Sequence, residues 1–301
     1  MHALWMVLAA FFFASMGVCI KAASPYFSSG ELVFYRGVIG MGMMVWLARR
    51  QNISLKTQYP GMHAWRSLIG VTSLGAWFYA IAHLPLATAM TLNYMSSVWV
   101  AVFLVGATLW NWRPTATDTR PPLQYPLVAT IVVGFLGVIL MLRPNINENQ
   151  AFAGVLGLMS GMAAAFAYMQ VVALSRIGEP ETRTVFYFAL GSAVAGGAGM
   201  LVTGVSPWSD WNMLWIVPIG VFASIAQLCL TKAYAQAKTS RETLVVANLQ
   251  YSGIIFGAFS GLIFFGDHIP LMGWVGMLLI IGSGIAATVL RTGRTPGDGN
   301  H

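Results

Sequence analysis

Charged residues are scarce in this chain. Asp, Glu, Lys and Arg make up 8% of its 301 residues, whereas a typical soluble domain carries about 25%. Too few charges are present to coat a water-facing surface, and hydrophobic residues make up 57% of the chain. The apolar runs are continuous and do not alternate with polar residues. The composition therefore predicts an all-α membrane protein and argues against both a soluble domain and a membrane β-barrel.

Cysteine and enzyme signatures are also rare or missing. Cys19 and Cys229 both lie inside apolar segments, which predicts small core residues and neither a disulfide nor a metal site. The sequence has no phosphate-binding Gly-rich loop, no His-Glu-x-x-His motif and no paired cysteines. We therefore expect no enzyme, no ATP-driven pump on this chain alone, and no cofactor or metal.

Acidic residues are missing from the interiors of the apolar segments. All nine lie in predicted loops or at predicted helix ends, so the chain offers no obvious membrane-buried carboxylate for proton coupling. Basic residues near the midplane would then have no acidic counterpart there. A substrate cavity lined by such basic residues would favour a compound that bears a carboxylate or phosphate over a pure cation.

Ten apolar segments are long enough to cross a bilayer, which takes roughly 20 residues. Turn residues separate them, and the first is predicted to be a retained helix and not a cleaved signal. They span residues 3–22, 30–48, 64–83, 86–109, 125–142, 152–174, 184–204, 212–235, 242–265 and 270–290.

Lysine and arginine predict the orientation. With the N-terminus inside, the inward connections and the tail hold 12 of the 16 basic residues, Arg66 among them, and the outward loops hold none. The sequence therefore predicts a multi-pass protein of the inner membrane with both termini cytoplasmic. The Gly-rich tail at 292–301 is expected to be disordered.

The two halves of the chain resemble each other. Val-Phe-Tyr at 33–35 recurs at 185–187, and similar stretches pair 8–12 with 162–166 and 79–83 with 232–236, at offsets of 152 to 154. Five helices per repeat is an odd number, so the second repeat must enter the membrane from the opposite side. We expect two inverted repeats, at 1–145 and 150–291, with the site at their interface.

Several motifs occur in the order and spacing of a known family. They are Lys21 at the end of the first segment, the stretch from Glu31 to Arg36, the turn at 83–89, and residues 249–253 followed by Phe-Gly-Asp at 265–267. In these features nearly the whole chain resembles the EamA-type family of the drug/metabolite transporter superfamily. The resemblance implies ten helices in two inverted repeats, a central cavity lined by helices 1, 3, 4, 6, 8 and 9, and movement of amino acids, nucleotide-linked compounds or other small metabolites.

The chain departs from the family pattern after the fourth segment, where Trp110 to Arg113 stand in place of an acidic residue. The second half keeps an acid, Asp267, which we expect to be structural. The related small multidrug pumps depend on a Glu in the first helix. That helix has none here, which argues against efflux of cationic drugs.

Three basic residues inside or at the ends of segments are candidate substrate contacts, because a charge within a membrane costs roughly 2.5–3.5 kcal/mol on insertion scales. Arg36 could bind an anion, pair with Glu31 or reach the outer surface. Lys21 and Lys232 could bind substrate or simply anchor the helix ends at the interface.

Polar and aromatic side chains within the segments complete the candidate site. They could bind a polar substrate or form its cavity walls, or they could serve only to hold helices together. These residues are Trp77, Tyr79, Asn93, Tyr94, Tyr168, Gln170, Gln227, Asn248 and Tyr251.

The sequence therefore favours a secondary transporter that moves an amino acid-like zwitterion or organic anion by alternating access. A nucleoside-type metabolite such as S-adenosylmethionine is the alternative substrate, and a membrane-embedded enzyme or a non-transporting receptor is the alternative class. Expected partners are the substrate and membrane lipid, without nucleic acid, and the chain is expected to be a monomer or weak homodimer.

Overall fold

The computed structural model describes residues 2–96, 98–99, 102–103, 125–142, 148–207, 211–237 and 240–292. Helices joined by short connections make up this described part of the chain, with no strand in it. The helices are α1 (His2–Ala23), α2 (Ser29–Gln51), α3 (Pro60–His83), α4 (Leu86–Tyr94), α5 (Tyr125–Leu142), α6 (Glu148–Arg176), α7 (Glu181–Thr203), α8 (Ile216–Gln236), α9 (Ser240–Leu249), α10 (Ser252–Phe265) and α11 (Leu271–Thr292). A short 3₁₀ turn, Asn212–Trp215, precedes α8.

Most of the described helices fall on the predicted segments, although α3 begins at Pro60, four residues earlier than predicted. The ninth segment, 242–265, is two helices, because the chain forms turns at Gln250 and Tyr251 between α9 and α10. Most of the predicted fourth segment beyond residue 96 lies outside the described residues, as does the predicted tail apart from Thr292.

Local sequence signals set the helix starts. At the start of α2, the Ser28 hydroxyl accepts a hydrogen bond from the Glu31 amide, and the Glu31 carboxylate accepts one from the Ser28 amide. Ser206, which follows α7, also donates to Glu31 through its amide and hydroxyl, at 2.6 and 2.7 Å. Pro60 occupies the first turn of α3, where its missing N–H costs nothing.

The outer surface of the bundle is strongly apolar. Leu201 is 89% exposed, and Phe259, Ile263 and Leu278 are each more than 60% exposed. Soluble monomers rarely expose contiguous apolar surface of this kind. Six described helices are long and apolar enough to cross a membrane. The chain is therefore a multi-pass membrane protein.

Helices from the two halves of the chain pack against each other in pairs. The main contacts join α1 with α8, α2 with α7, α3 with α6, and α5 with α11, and α4 packs on both α6 and α10. At the α2–α7 crossing the backbones come so close that a Cβ on Gly37 would collide with backbone atoms of Ala189 and Ala193.

Candidate functional site

A narrow cavity of about 50 Å³ lies at the centre of the bundle, between α1, α2, α3 and α4 of the first half and α6, α7 and α8 of the second. This volume is below the usual range of small-molecule pockets, roughly 300–1,000 Å³, so the cavity would have to widen to admit a metabolite. It is lined by Phe13, Arg36, Arg66, Gly70, Ser73, Leu74, Trp77, Asn93, Tyr94, Ala164, Ala167, Tyr168, Phe188 and Gln227.

Arg36 is the predicted basic residue that the structure brings into the cavity. It is 4% exposed, and its Nη1 donates to the Ser192 hydroxyl at 3.3 Å. Its guanidinium carbon lies 5.0 Å from the centre of the Phe188 ring. Glu31 accepts hydrogen bonds from Ser28 and Ser206, and it does not form the predicted pair with Arg36. The second alternative, in which Arg36 reaches the outer surface, is excluded by its burial.

Arg66 is the cavity residue that sequence reasoning misplaced. It was predicted in an inward connection, but α3 begins at Pro60, so Arg66 lies almost two turns into the helix and is 2% exposed. Its guanidinium carbon lies 4.1 Å from the centre of the same Phe188 ring. Pro60 is the signal that could have placed it, because proline favours the first helical turn.

Aromatic side chains form much of the cavity wall. Trp77 and Phe13 meet edge to face with their ring centres 6.1 Å apart, and Tyr168 stacks on Tyr234. Within the described part of the chain, neither the Trp77 indole N–H nor the Tyr94 hydroxyl has a hydrogen-bond partner. Both residues belong to the cavity lining, and the Tyr94 hydroxyl lies beside Gly253 of α10.

Amide side chains complete the polar lining. Asn93 donates from Nδ2 to the Ser160 hydroxyl at 3.0 Å, and Ser160 donates to the Gly157 carbonyl oxygen, which fixes the position of Asn93. Ser73 donates to the Ser160 carbonyl oxygen at 2.8 Å. Gln227 lines the cavity and also a neighbouring recess between α2, α7 and α8.

Lys21 and Lys232, which the sequence predicts as substrate contacts, do not line the cavity. Lys21 forms a salt bridge with Asp267 at 2.7 Å, and it donates to the Leu84 carbonyl oxygen at 3.3 Å. Asp267 also accepts from the Leu86 amide, as befits the structural role expected of it. Lys232 lies over the Trp5 ring, 4.8 Å from its centre.

The remaining predicted residues also lie outside the lining of the cavity. Tyr79 stacks on His83 with ring centres 4.1 Å apart. Tyr251 is buried beside Gly284 of α11, Asn248 lies near the end of α9, and Gln170 is half-buried on α6.

A second polar cluster joins the two halves of the chain. It lies at the N-terminal end of α3, opposite the end at which Lys21 meets Asp267. Glu179 accepts hydrogen bonds from Thr57 and Arg183, each at 2.9 Å, and lies 3.4 Å from His63. Arg183 also donates to the Ser54 carbonyl oxygen. Burial raises the pKa of Glu179, but the hydrogen bonds and the nearby positive charge outweigh it, so the pKa lies below its ordinary value.

Comparison with known proteins identifies the family of the chain. The model of the EamA-like transporter family matches residues 1–143. The pseudopaline exporter of Pseudomonas aeruginosa strain UCBPP-PA14 is 31% identical over 95% of each chain. A riboflavin transporter of Rhizobium johnstonii is 24% identical over 94% of this chain and 89% of its own length.

A solved crystal structure shares the fold over 98% of this chain and 99% of its own, with a TM-score of 0.66 and 16% sequence identity. At that identity the likeness concerns the fold alone. The similarity to the pseudopaline exporter extends over nearly the whole chain, and the family model matches its first half. The chain belongs to the EamA-like transporter family.

Proposed function

We propose that this protein is a secondary transporter that carries a small polar metabolite, an amino acid-like zwitterion or an organic anion, across the inner membrane by alternating access. The observation that carries the proposal is the central cavity. It is enclosed by helices from both halves, and its wall contains two buried arginines, two amides and unpaired polar atoms. A bundle that served only as a scaffold would have no reason to keep such groups in its core.

The helix pairing supports the proposed architecture of ten spans in two inverted repeats, 1–145 and 150–291. If α6, α7 and α8 are the counterparts of α1, α2 and α3, then the pairs α1–α8 and α3–α6 exchange under a two-fold rotation. The pairs α2–α7, α4–α10 and α5–α11 map onto themselves. This pattern is what two repeats related by a two-fold axis would produce, and transporters of this plan hold substrate at the repeat interface.

Two polar clusters support alternating access. Lys21 with Asp267 lies at one end of α3, and Glu179 with Thr57 lies at the other. At 1.5 Å per residue the ends of this 24-residue helix are about 35 Å apart. Each cluster joins the first half to the second. We propose that they close the two sides of the cavity in turn, with the Glu179 side and both termini in the cytoplasm.

A planar heterocyclic metabolite is the second candidate substrate. The aromatic rings of Phe13, Trp77, Tyr94, Tyr168 and Phe188 could stack on such a ring system. A relative is named a riboflavin transporter. Another is named a pseudopaline exporter, which makes export the first direction to measure.

Flux in proteoliposomes tests the proposal. The purified protein is reconstituted, and uptake of amino acids, organic acids and riboflavin is compared with that of empty liposomes. We expect flux of at least one compound, with saturation as its concentration rises. No flux from the whole panel in either direction would contradict the transporter proposal.

A cavity-filling variant tests where the substrate passes. Ala167 is buried and lines the cavity, so Ala167→Trp should fill it and reduce flux at least tenfold. Ala151→Trp is the control, because Ala151 is exposed on the same helix. Both variants should elute as single symmetrical peaks in size-exclusion chromatography. Equal flux in both would mean that the cavity is not the path.

A further inference from the structure

The cavity holds two buried guanidinium groups and, among its described lining residues, no acid. Resting on the transporter function proposed above, we propose that the substrate is a dicarboxylate, with Arg36 and Arg66 each binding one carboxylate. Both guanidinium carbons face the Phe188 ring, at 5.0 and 4.1 Å from its centre, so they are at most about 9 Å apart. One small molecule can therefore reach both.

Both arginines have N–H groups that the protein does not use. In the described part of the chain, Nε of Arg36 and both Nε and Nη1 of Arg66 have no hydrogen-bond partner, although they are fully buried. The bond that Arg36 does make, to Ser192, is long for a charged donor. Guanidinium groups pair with carboxylates through two parallel hydrogen bonds, and these free donors match that need.

The bundle acids whose contacts are described do not neutralise these charges. Glu31 accepts from Ser28 and Ser206, Asp267 pairs with Lys21, and Glu179 belongs to the cluster at the end of α3. A structural ion pair is therefore not the reason that Arg36 and Arg66 are buried. We propose that a ligand that enters and leaves the cavity supplies the negative charge.

Two separate anion positions fit the geometry better than one. Arg36 also lines a recess formed with Gly40, Ser224 and Gln227, which Arg66 does not line. Arg66 instead folds against Gly70 of its own helix, beside Phe188. A molecule with two carboxylates would satisfy both arginines, whereas a monoanion would leave one guanidinium buried and unpaired.

Binding of matched compounds to the purified full-length protein tests the proposal. Each dicarboxylate is paired with its half-amide, which has the same shape and one charge fewer: succinate with succinamate, glutamate with glutamine, and phthalate with phthalamate. Inorganic phosphate is tested as the compact dianion. Thermal unfolding midpoints and titration calorimetry report binding. We expect at least one dicarboxylate to bind at least tenfold more tightly than its half-amide, and more tightly than phosphate.

Three variants assign the effect to the cavity arginines. Arg36→Gln and Arg66→Gln should each abolish the preference for the dicarboxylate over its half-amide. Arg50→Gln, which replaces an exposed arginine at the end of α2, should keep the preference. Without ligand, the two cavity variants should unfold at a temperature no lower than the wild type, because an unpaired buried charge has been removed. A structural role would lower it.

Three results would overturn the proposal: no dicarboxylate preferred by the wild type, phosphate preferred to all of them, or a preference that survives in both cavity variants. These failures differ from failure of the transporter proposal. If the protein moved a zwitterion or heterocycle without regard to Arg36 and Arg66, it would still be a transporter with another substrate. Absence of any flux would reject transport itself.

Discussion

At the scale of single residues, the position of the Arg66 side chain depends on a glycine one turn further along α3. A Cβ on Gly70 would collide with the Arg66 guanidinium and approach Cε2 of Phe188 to 2.8 Å. The side chain of Arg66 is flexible and can move away, whereas the helix backbone cannot. Gly70 therefore determines where that guanidinium points.

Gly70→Ala should redirect Arg66 and weaken substrate binding about tenfold, as judged by the KM of flux in proteoliposomes. The free energy of unfolding should hardly change, because the cost of moving the Arg66 side chain is offset by the higher helix propensity of Ala, which is worth up to about 1 kcal/mol over Gly. Gly75→Ala on the same helix is the control, since a Cβ there meets nothing within 4 Å. An unchanged KM in Gly70→Ala would show that Arg66 does not contact substrate.

Half of the predicted site residues line the cavity: Arg36, Trp77, Asn93, Tyr94, Tyr168 and Gln227. Helix geometry explains two of the others. Residues two apart on a helix point about 200° apart, so Tyr79 cannot share a face with Trp77, and Gln170 cannot share one with Tyr168. Phe188 could not have been predicted, because nothing in an apolar sequence distinguishes a phenylalanine that faces a cavity from one that faces lipid.

At the scale of elements, the α2–α7 contact depends on close backbone approach. Gly37 of α2 faces the backbone of α7 around Ala193, and Gly196 of α7 faces the backbone of Phe34. Small residues at helix crossings in membranes permit this packing. The contact matters for the site because α2 carries Arg36 and α7 carries Phe188.

Gly37→Ala should lower the free energy of unfolding by about 1–3 kcal/mol, because its Cβ would meet backbone that has no flexible side chain to move. Gly42→Ala, on the same helix but with nothing within 4 Å of a Cβ, should be neutral or slightly stabilising. Thermal and denaturant unfolding of both variants in the same detergent provide the measurement. Equal midpoints would contradict the close packing of α2 on α7.

The elements themselves were largely predictable, because long apolar runs and turn residues are strong signals. The interruption between α9 and α10 was not, because hydropathy averages over the whole 242–265 segment and does not register the turns at Gln250 and Tyr251. The start of α3 was placed too late for a similar reason. Its first turns hold His63 and Arg66, whose polarity resembles that of a loop although both side chains are buried.

At the scale of the whole molecule, the pairwise packing of the halves and the two polar clusters at opposite ends of α3 support the proposed alternating access. A cavity that opens to one side and then to the other requires each cluster to separate while the opposite one closes. The charge distribution in the sequence predicted the class of protein and its favoured substrates. It could not show that Lys21 and Asp267 meet, because they lie 246 positions apart in the chain and only tertiary packing brings them together.

Crosslinking the two ends tests alternating access most directly. Cys19 and Cys229 are first replaced by Ala, and pairs of cysteines are introduced at Lys21 with Asp267 or at Thr57 with Glu179. A short, reducible thiol crosslinker then joins each pair. Both double variants should transport before crosslinking, lose flux when either end is joined, and regain it on reduction. Undiminished flux with either end fully crosslinked would contradict alternating access through the central cavity.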